Sequence, residues 1–179
     1  MVTFEIKPLS PEAYRQQTRR STLLVVATFA VLGMGFATLA VALFGEAGAD
    51  NLRLNVAGVV AGFLLTAALV RLVYWKQPWM HSAVYGWRLK RSLMSVTNVM
   101  HHVTAGIAAG DPDAIKLLRF YHLGLTQMHQ LDANSASLSE SAAEIDRHRE
   151  LMEARGMDTD QHQLHDEWLG SVKRFPATR

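Results

Sequence analysis

TLLVVATFAVLGMGFATLAVALF (residues 22–44) and LNVAGVVAGFLLTAALVRLVYW (residues 54–75) are the stretches that decide the fold. The first runs for 23 residues without a charge. As a helix it reaches about 34 Å, enough to cross a hydrocarbon core of about 30 Å. The second is uncharged from Leu54 to Val70, with Asn55 at its mouth and Arg71 one turn before Tyr74 and Trp75. An arginine that close to a helix end can snorkel to headgroups, and Tyr74, Trp75 and Trp79 beside Lys76 read as an interfacial belt. Pro78 marks the end of the span. Two buried helices of a soluble protein would need more polar chain around them than 179 residues supply. The expectation is a transmembrane hairpin.

The flanks orient it. Lys7, Arg15, Arg19 and Arg20 precede the first run, and Lys76, Arg88, Lys90 and Arg91 follow the second. The turn between them, residues 45–53, holds Glu46, Asp50 and a single base, Arg53. The positive-inside bias then puts both termini in the cytoplasm and the turn outside. Arg19-Arg20 followed by Leu23 and Leu24 loosely resembles a twin-arginine export signal, but the apolar run exceeds the 7–15 residues of a signal core and a second span follows at once. Gly58 and Gly62 form a GxxxG pair, and Gly33 and Ala37 have the same spacing. Small residues four apart let a second backbone approach closely, either the other span of this chain or a second copy. Neither span holds a histidine or an acid, which argues against an intramembrane haem or proton path.

The rest of the chain reads as helical, so the expected fold class is all-α. Its parts are an N-terminal amphipathic helix over 1–21, the hairpin over 22–76, a cytoplasmic helical domain over 77–156, and a polar, marginally ordered tail over 157–179. Ser10-Pro11-Glu12 is a helix start. Leu89, Leu93, Val96, Met100, Val103 and Ile107 recur at spacing 4-3-4-3-4, a two-position heptad seam on one helix that Gly110 stops. Asp111-Pro112-Asp113 starts the next helix, giving an antiparallel helical hairpin. Asp132 to Ser135 reads as a break, and Ser137 with Glu140, or Ser141 with Glu144, has capping-box spacing. The helix after it carries a thin apolar stripe, Leu138, Ala142, Ile145 and Met152, interrupted by Arg149.

Charge and residue types narrow the function classes. The chain has no cysteine, which removes disulfides, thiolate metal sites and a cysteine nucleophile. A net charge of +2 gives no case for nucleic acid. No acid lies between Asp50 and Asp111, whereas ten acids face three bases from Asp132 to Glu167. Basic near the membrane and acidic away from it suits anionic headgroups beside the juxtamembrane segment. Of eight histidines, His101, His102, His122 and His129 are the candidate metal ligands, because an antiparallel hairpin could bring the first two near the last two. His162 and His165 are one turn apart, and no zinc pattern such as HExxH is present. No nucleophile elbow or phosphate loop is present either, so neither an enzyme nor a cofactor is expected.

Several stretches resemble a proteobacterial family of two-span membrane proteins, the domain-of-unknown-function 3087 family. They are Tyr14-Arg15-Gln16-Gln17-Thr18-Arg19-Arg20-Ser21, Leu39 to Gly45, Gln77-Pro78-Trp79-Met80, Val84-Tyr85-Gly86-Trp87 through Met94, and Leu117-Leu118-Arg119-Phe120-Tyr121-His122. The resemblance covers positions 4 to 155 and leaves the tail outside. It implies a two-span bacterial inner-membrane protein and transfers no catalytic residue. The functional expectation is a membrane-anchored helical scaffold, an accessory component of an inner-membrane assembly that meets an integral membrane partner or a second copy of itself. The alternative is a histidine-dependent metal- or ligand-binding sensor.

Overall fold

A computed structural model describes residues 1–176. The chain forms two compact units. One is Gln16–Val84, and the other joins Met1–Arg15 to the chain from Tyr85 onward. The first unit is therefore inserted into the second. The elements run β1 (Val2–Glu5), α1 (Pro11–Phe44), α2 (Leu52–Leu72), α3 (His81–Thr97), α4 (Met100–Ala108), α5 (Pro112–Leu131), α6 (Ser135–Ala154), β2 (Gln163–His165) and α7 (Asp166–Ser171). Single 3-10 turns occupy Tyr74–Lys76, Pro78–Met80 and Val172–Arg174. The fold is all-α apart from the two short strands.

In the inserted unit, α1 and α2 are long and apolar enough to cross a membrane. Their most apolar windows are only 6% and 17% buried within the chain, unlike the core helices of a soluble protein. Within this pair the small residues meet in antiparallel register. A Cβ built on Gly58 would collide with the backbone of Ala37, and one on Gly62 would lie 2.6 Å from the Gly33 Cα. Thr66, buried one turn on, donates its hydroxyl to the Gly62 carbonyl at 2.8 Å. Phe29 and Phe63 meet edge to face at 6.1 Å. The second helix ends at Leu72, not at Trp75. Tyr74, Trp75 and Lys76 form the following 3-10 turn, and Pro78 opens another.

The other unit departs from the expected ends. Residues 1–21 are not one amphipathic helix: Val2–Glu5 form β1 and helix begins at Pro11, with the Ser10 hydroxyl accepting from the Ala13 amide at 3.4 Å. β1 pairs antiparallel with β2, Val2 opposite His165, Phe4 opposite Leu164 and Glu5 opposite Gln163. The polar tail is likewise corrected. Leu164, Trp168 and Val172 are 1%, 9% and 0% exposed and belong to the core with Phe4, Leu117 and Phe120. A ladder of three paired positions and three apolar anchors suffices to hold a segment whose composition is polar. Arg174 pairs with the Asp111 carboxylate, and His102 Nδ1 meets the Phe175 carbonyl at 2.6 Å. Residues 177–179 of the expected tail lie outside the described residues.

The heptad seam is split between two helices. Helix α3 stops at Thr97 and α4 restarts at Met100. Ser95 and Thr97 turn their hydroxyls onto the carbonyls of Ser92 and Leu93, an alternative to helix continuation that Asn98 also favours. Leu89, Leu93, Val96 and Val103 are at most 4% exposed, and Met100 and Ile107 pack against the same core. The seam is thus consumed inside the chain. The start of α5 follows its sequence signal: Gly110 has φ +75°, Asp111 accepts from the Ala114 amide at 2.9 Å, and Pro112 is the first helical residue. The start of α6 does not, because Asn134 is the cap in place of Ser137 or Ser141.

Burying Leu164, Trp168 and Val172 contributes roughly 5–8 kcal/mol, about the whole net stability of a small domain. Ending the chain at Gly156 should therefore abolish cooperative unfolding of this unit, as read by limited proteolysis of the detergent-solubilised protein. In the apolar pair, Gly62→Leu should force the two helices apart and lower the melting temperature. The same change at exposed Val60 should leave it unaltered.

Candidate functional site

Helices α5 and α6 meet along a seam with charged and polar side chains at its centre. On α6 the inward positions are Leu138, Ser141, Ile145, His148 and Met152, at spacing 3-4-3-4. Met152 is fully buried and His148 is 7% exposed. On α5, Arg119 and His122 lie one turn apart and are 8% and 3% exposed. The His122 and His148 rings stand edge to face at 5.2 Å. His148 Nε2 meets the Ile115 carbonyl at 3.0 Å, which makes Nε2 the protonated nitrogen. Arg119 Nε donates to the Thr159 carbonyl at 2.9 Å, pinning the loop after α6.

This cluster is incompletely satisfied. Arg119 Nη1 and His122 Nδ1 are buried without a hydrogen-bond partner among the described residues. The nearest carboxylate to His122 is Glu144, 3.9 Å from Nε2 and outside hydrogen-bond reach. An unpaired buried polar atom costs about 1–3 kcal/mol, so the seam holds α6 less firmly than an apolar seam would. Burial pushes the His122 pKa down to about 4, with the neighbouring His148 and Arg119 adding to the effect. Burial also lowers His148, and the Arg119 charge adds to this, while its bond to the Ile115 carbonyl and the Glu144 charge oppose it. Arg119 itself is lowered by burial and then by Arg149, against the attraction of Asp146, Glu153 and Asp160. Near neutral pH, then, His122 is a neutral ring beside a buried guanidinium.

The four histidines singled out from the sequence do not converge. The His101 and His102 rings on α4 are tilted at 44° to each other with centroids 4.1 Å apart. His102 is engaged by Phe175, and His129 sits half-buried in the last turn of α5. Only His122 enters the cluster, and its partners there are His148 and Arg119, which spacing had not suggested. The signal was present: stepping 3 and then 4 from Ile145 lands on His148 and Met152, whereas the stripe through Arg149 is one residue off. Arg149 is exposed and paired with Asp146 and Glu153. Among the described residues no group of three His, Cys, Asp or Glu side chains could hold a metal ion. A polar cleft of about 560 Å³ near Glu5, Asp160, His162 and His165 lies along β1 and β2, and its His162 is already paired with Asp160.

The residues expected at a membrane interface cluster at one end of the inserted unit. The Arg71 guanidinium is 5.8 Å from the Trp75 ring, and Tyr74 and Trp79 meet edge to face at 5.1 Å. The Tyr74 hydroxyl is 3.1 Å from Thr28 Oγ1, and Ser21 donates to the Trp79 carbonyl at 2.6 Å. Lys76 is exposed at the same turn. Gly33, Ala37, Gly58 and Gly62 line the contact between α1 and α2.

Fold and site together define an all-helical protein with two helices long enough to span a membrane and a separate unit carrying a buried histidine–arginine seam. The chain belongs to the family described as protein of unknown function (DUF3087), whose model matches residues 4–169. That match extends through β2 and most of α7, beyond the 4–155 expected from the sequence. No curated protein and no solved structure matches the chain.

The sign of the pH effect follows from the depressed pKa. The unfolded chain, with His122 near 6.5, takes up a proton before the folded chain does. Stability from this group is complete above about pH 6.5 and is lost as pH falls towards about 4, a change on the order of 3 kcal/mol. Denaturant unfolding at a series of pH values should show that loss, and His122→Leu should flatten it. An unaltered pH profile in the variant would remove His122 as the cause.

Proposed function

We propose that the protein is a membrane-anchored helical docking protein, an accessory component of a bacterial inner-membrane assembly with both termini in the cytoplasm. The observation that carries this reading is the insertion of the apolar pair into the other unit. Residues 2–5 pair with 163–165, so the chain leaves that unit at Arg15 and must return to it at Tyr85. A unit on one face of a bilayer requires an even number of crossings in between, and α1 with α2 supplies two. Basic flanks and the acidic turn, Glu46 and Asp50, favour the cytoplasmic face for the unit. The acidic outer surface of α6, with Glu140, Glu144, Glu150 and Glu153 exposed, suits a basic partner surface.

A second reading, a sensor, is favoured by the His122–His148 pair. It shifts the sensing residues from the four histidines expected earlier to the α5–α6 seam, and the proton is the ligand this chemistry serves.

Single cysteines test the topology, since the chain has none of its own. A membrane-impermeant maleimide added to intact inner-membrane spheroplasts should label Ala49→Cys and spare Ser139→Cys; the reverse pattern rejects the orientation. Gentle solubilisation should then recover one integral membrane protein at near-stoichiometric yield. Recovery of self-association alone rejects the accessory role.

A further inference from the structure

Helix α3 buries one face in the core, and large apolar side chains on its other face are partly exposed. Trp87 is 49% exposed and Met94 is 63% exposed. With Arg91 they lie four and three residues apart, on one stripe of the helix. The Arg91 guanidinium is 5.3 Å from the Trp87 ring centroid. Arg88 and Lys90 flank the stripe. Lys90 is taken by Asp132 at 2.9 Å, whereas among the described residues no carboxylate pairs with Arg88 or Arg91. The sequence around them holds no acid from Arg53 to Gly110, so every charge that α3 itself contributes is positive.

An indole under a guanidinium, beside a thioether, is the chemistry of a headgroup layer. The ring and the alkyl stems enter the apolar boundary while the cations stay among phosphates. Two apolar side chains are too few for a stable protein interface, which needs about 800 Å² per partner. The tether agrees. Only eight residues, Val73–Met80, separate α2 from α3, and an extended chain of that length reaches about 28 Å at most. His81, the first residue of α3, therefore stays within that reach of Leu72.

We propose that the Trp87–Arg91–Met94 face of α3, with Arg88 at its edge, rests in the headgroup layer of an anionic lipid leaflet. The inference rests on the membrane-anchor reading and adds to it a second, surface-bound element: α3 lies on the leaflet that the hairpin crosses, and the anionic lipid content sets how firmly. An acidic protein surface is the competing occupant.

The test uses the full chain in vesicles of phosphatidylcholine with and without phosphatidylglycerol. Met94→Cys provides a single thiol for a polarity-sensitive fluorophore, Leu64→Cys marks the second span, and exposed Glu150→Cys is the aqueous control. With phosphatidylglycerol present, the label at 94 should shift to the blue and be quenched by lipids brominated near the headgroup, and the label at 64 should be quenched by lipids brominated deep in the acyl chain, while the label at 150 is quenched by neither. Arg88→Gln with Arg91→Gln should remove most of that shift. Quenching at 64 with none at 94 overturns the inference and leaves the anchor standing. No quenching at 64 overturns the anchor itself. A shift at 94 that is indifferent to phosphatidylglycerol and to the arginines overturns the anionic assignment. Shielding at 94 without lipid quenching points to a protein or a second copy and overturns it too.

Discussion

The antiparallel pairing of Val2–Glu5 with Gln163–His165 is the contact on which the rest of the architecture depends. It joins segments about 160 residues apart and so makes one unit from the two ends of the described chain. Closing so long a loop is entropically costly, and a ladder this short cannot offset that cost alone. The apolar residues it carries do the rest. Phe4 lies 5.6 Å from the Tyr85 ring, and Leu164 is almost fully buried. The Tyr85 hydroxyl accepts from the Lys7 amide at 3.0 Å and donates to Gln127 at 2.5 Å, and Gln127 returns a bond to the Lys7 carbonyl at 2.6 Å. This three-membered circuit fastens the segment after β1 to α3 and α5. Once the ends are joined, whatever lies between residues 16 and 84 must leave and come back, and an apolar pair of helices is the form in which it does so.

A different balance governs the α5–α6 seam. The hydrophobic cluster at the centre of the unit includes Leu89, Leu117, Phe120 and Val103, each at most 1% exposed. At this seam Arg119, His122 and His148 take positions that Leu or Ile would fill more stably. Their burial is tolerated because the histidines are neutral, His148 has the Ile115 carbonyl, and Arg119 has the Thr159 carbonyl. The helix they hold is mostly polar outside its seam. The unit thus combines an apolar body with one helix held partly by buried polar contacts.

Much of this could be read in the linear chain. The hairpin was visible because a charge-free run of that length has few other solvents. The caps at Ser10 and Asp111 and the stop at Gly110 were visible because they are local, requiring only neighbours within four residues. The seam residues were visible as a set, but not the break between α3 and α4, because Ser95 and Thr97 act on backbone carbonyls that periodicity does not register. The end of the chain was misread for a related reason. Leu164, Trp168 and Val172 are sparse and irregularly spaced, and a segment ordered by a distant strand shows no period of its own. The candidate site was the least legible part. His122 stood out as a histidine, whereas Arg119 and His148 became partners only when the consecutive helices α5 and α6 folded against each other and brought together residues about 30 positions apart.

Composition and short-range periodicity alone settle the all-helical class, two apolar runs long enough to cross a membrane, their flanking charges, the helix starts at Pro11 and Pro112 and the stop at Gly110, because each depends on contacts within a few residues or on the length and composition of one run. Folding decides what those signals cannot hold. The Gly33–Gly62 and Ala37–Gly58 contacts bring α1 and α2 of one chain together. The β1–β2 ladder turns two ends into one unit. The seam between α5 and α6 places a neutral histidine beside a guanidinium. Each of these is a meeting of segments far apart in sequence, and its energy comes from burial and desolvation, which belong to the packed pair and to neither segment alone.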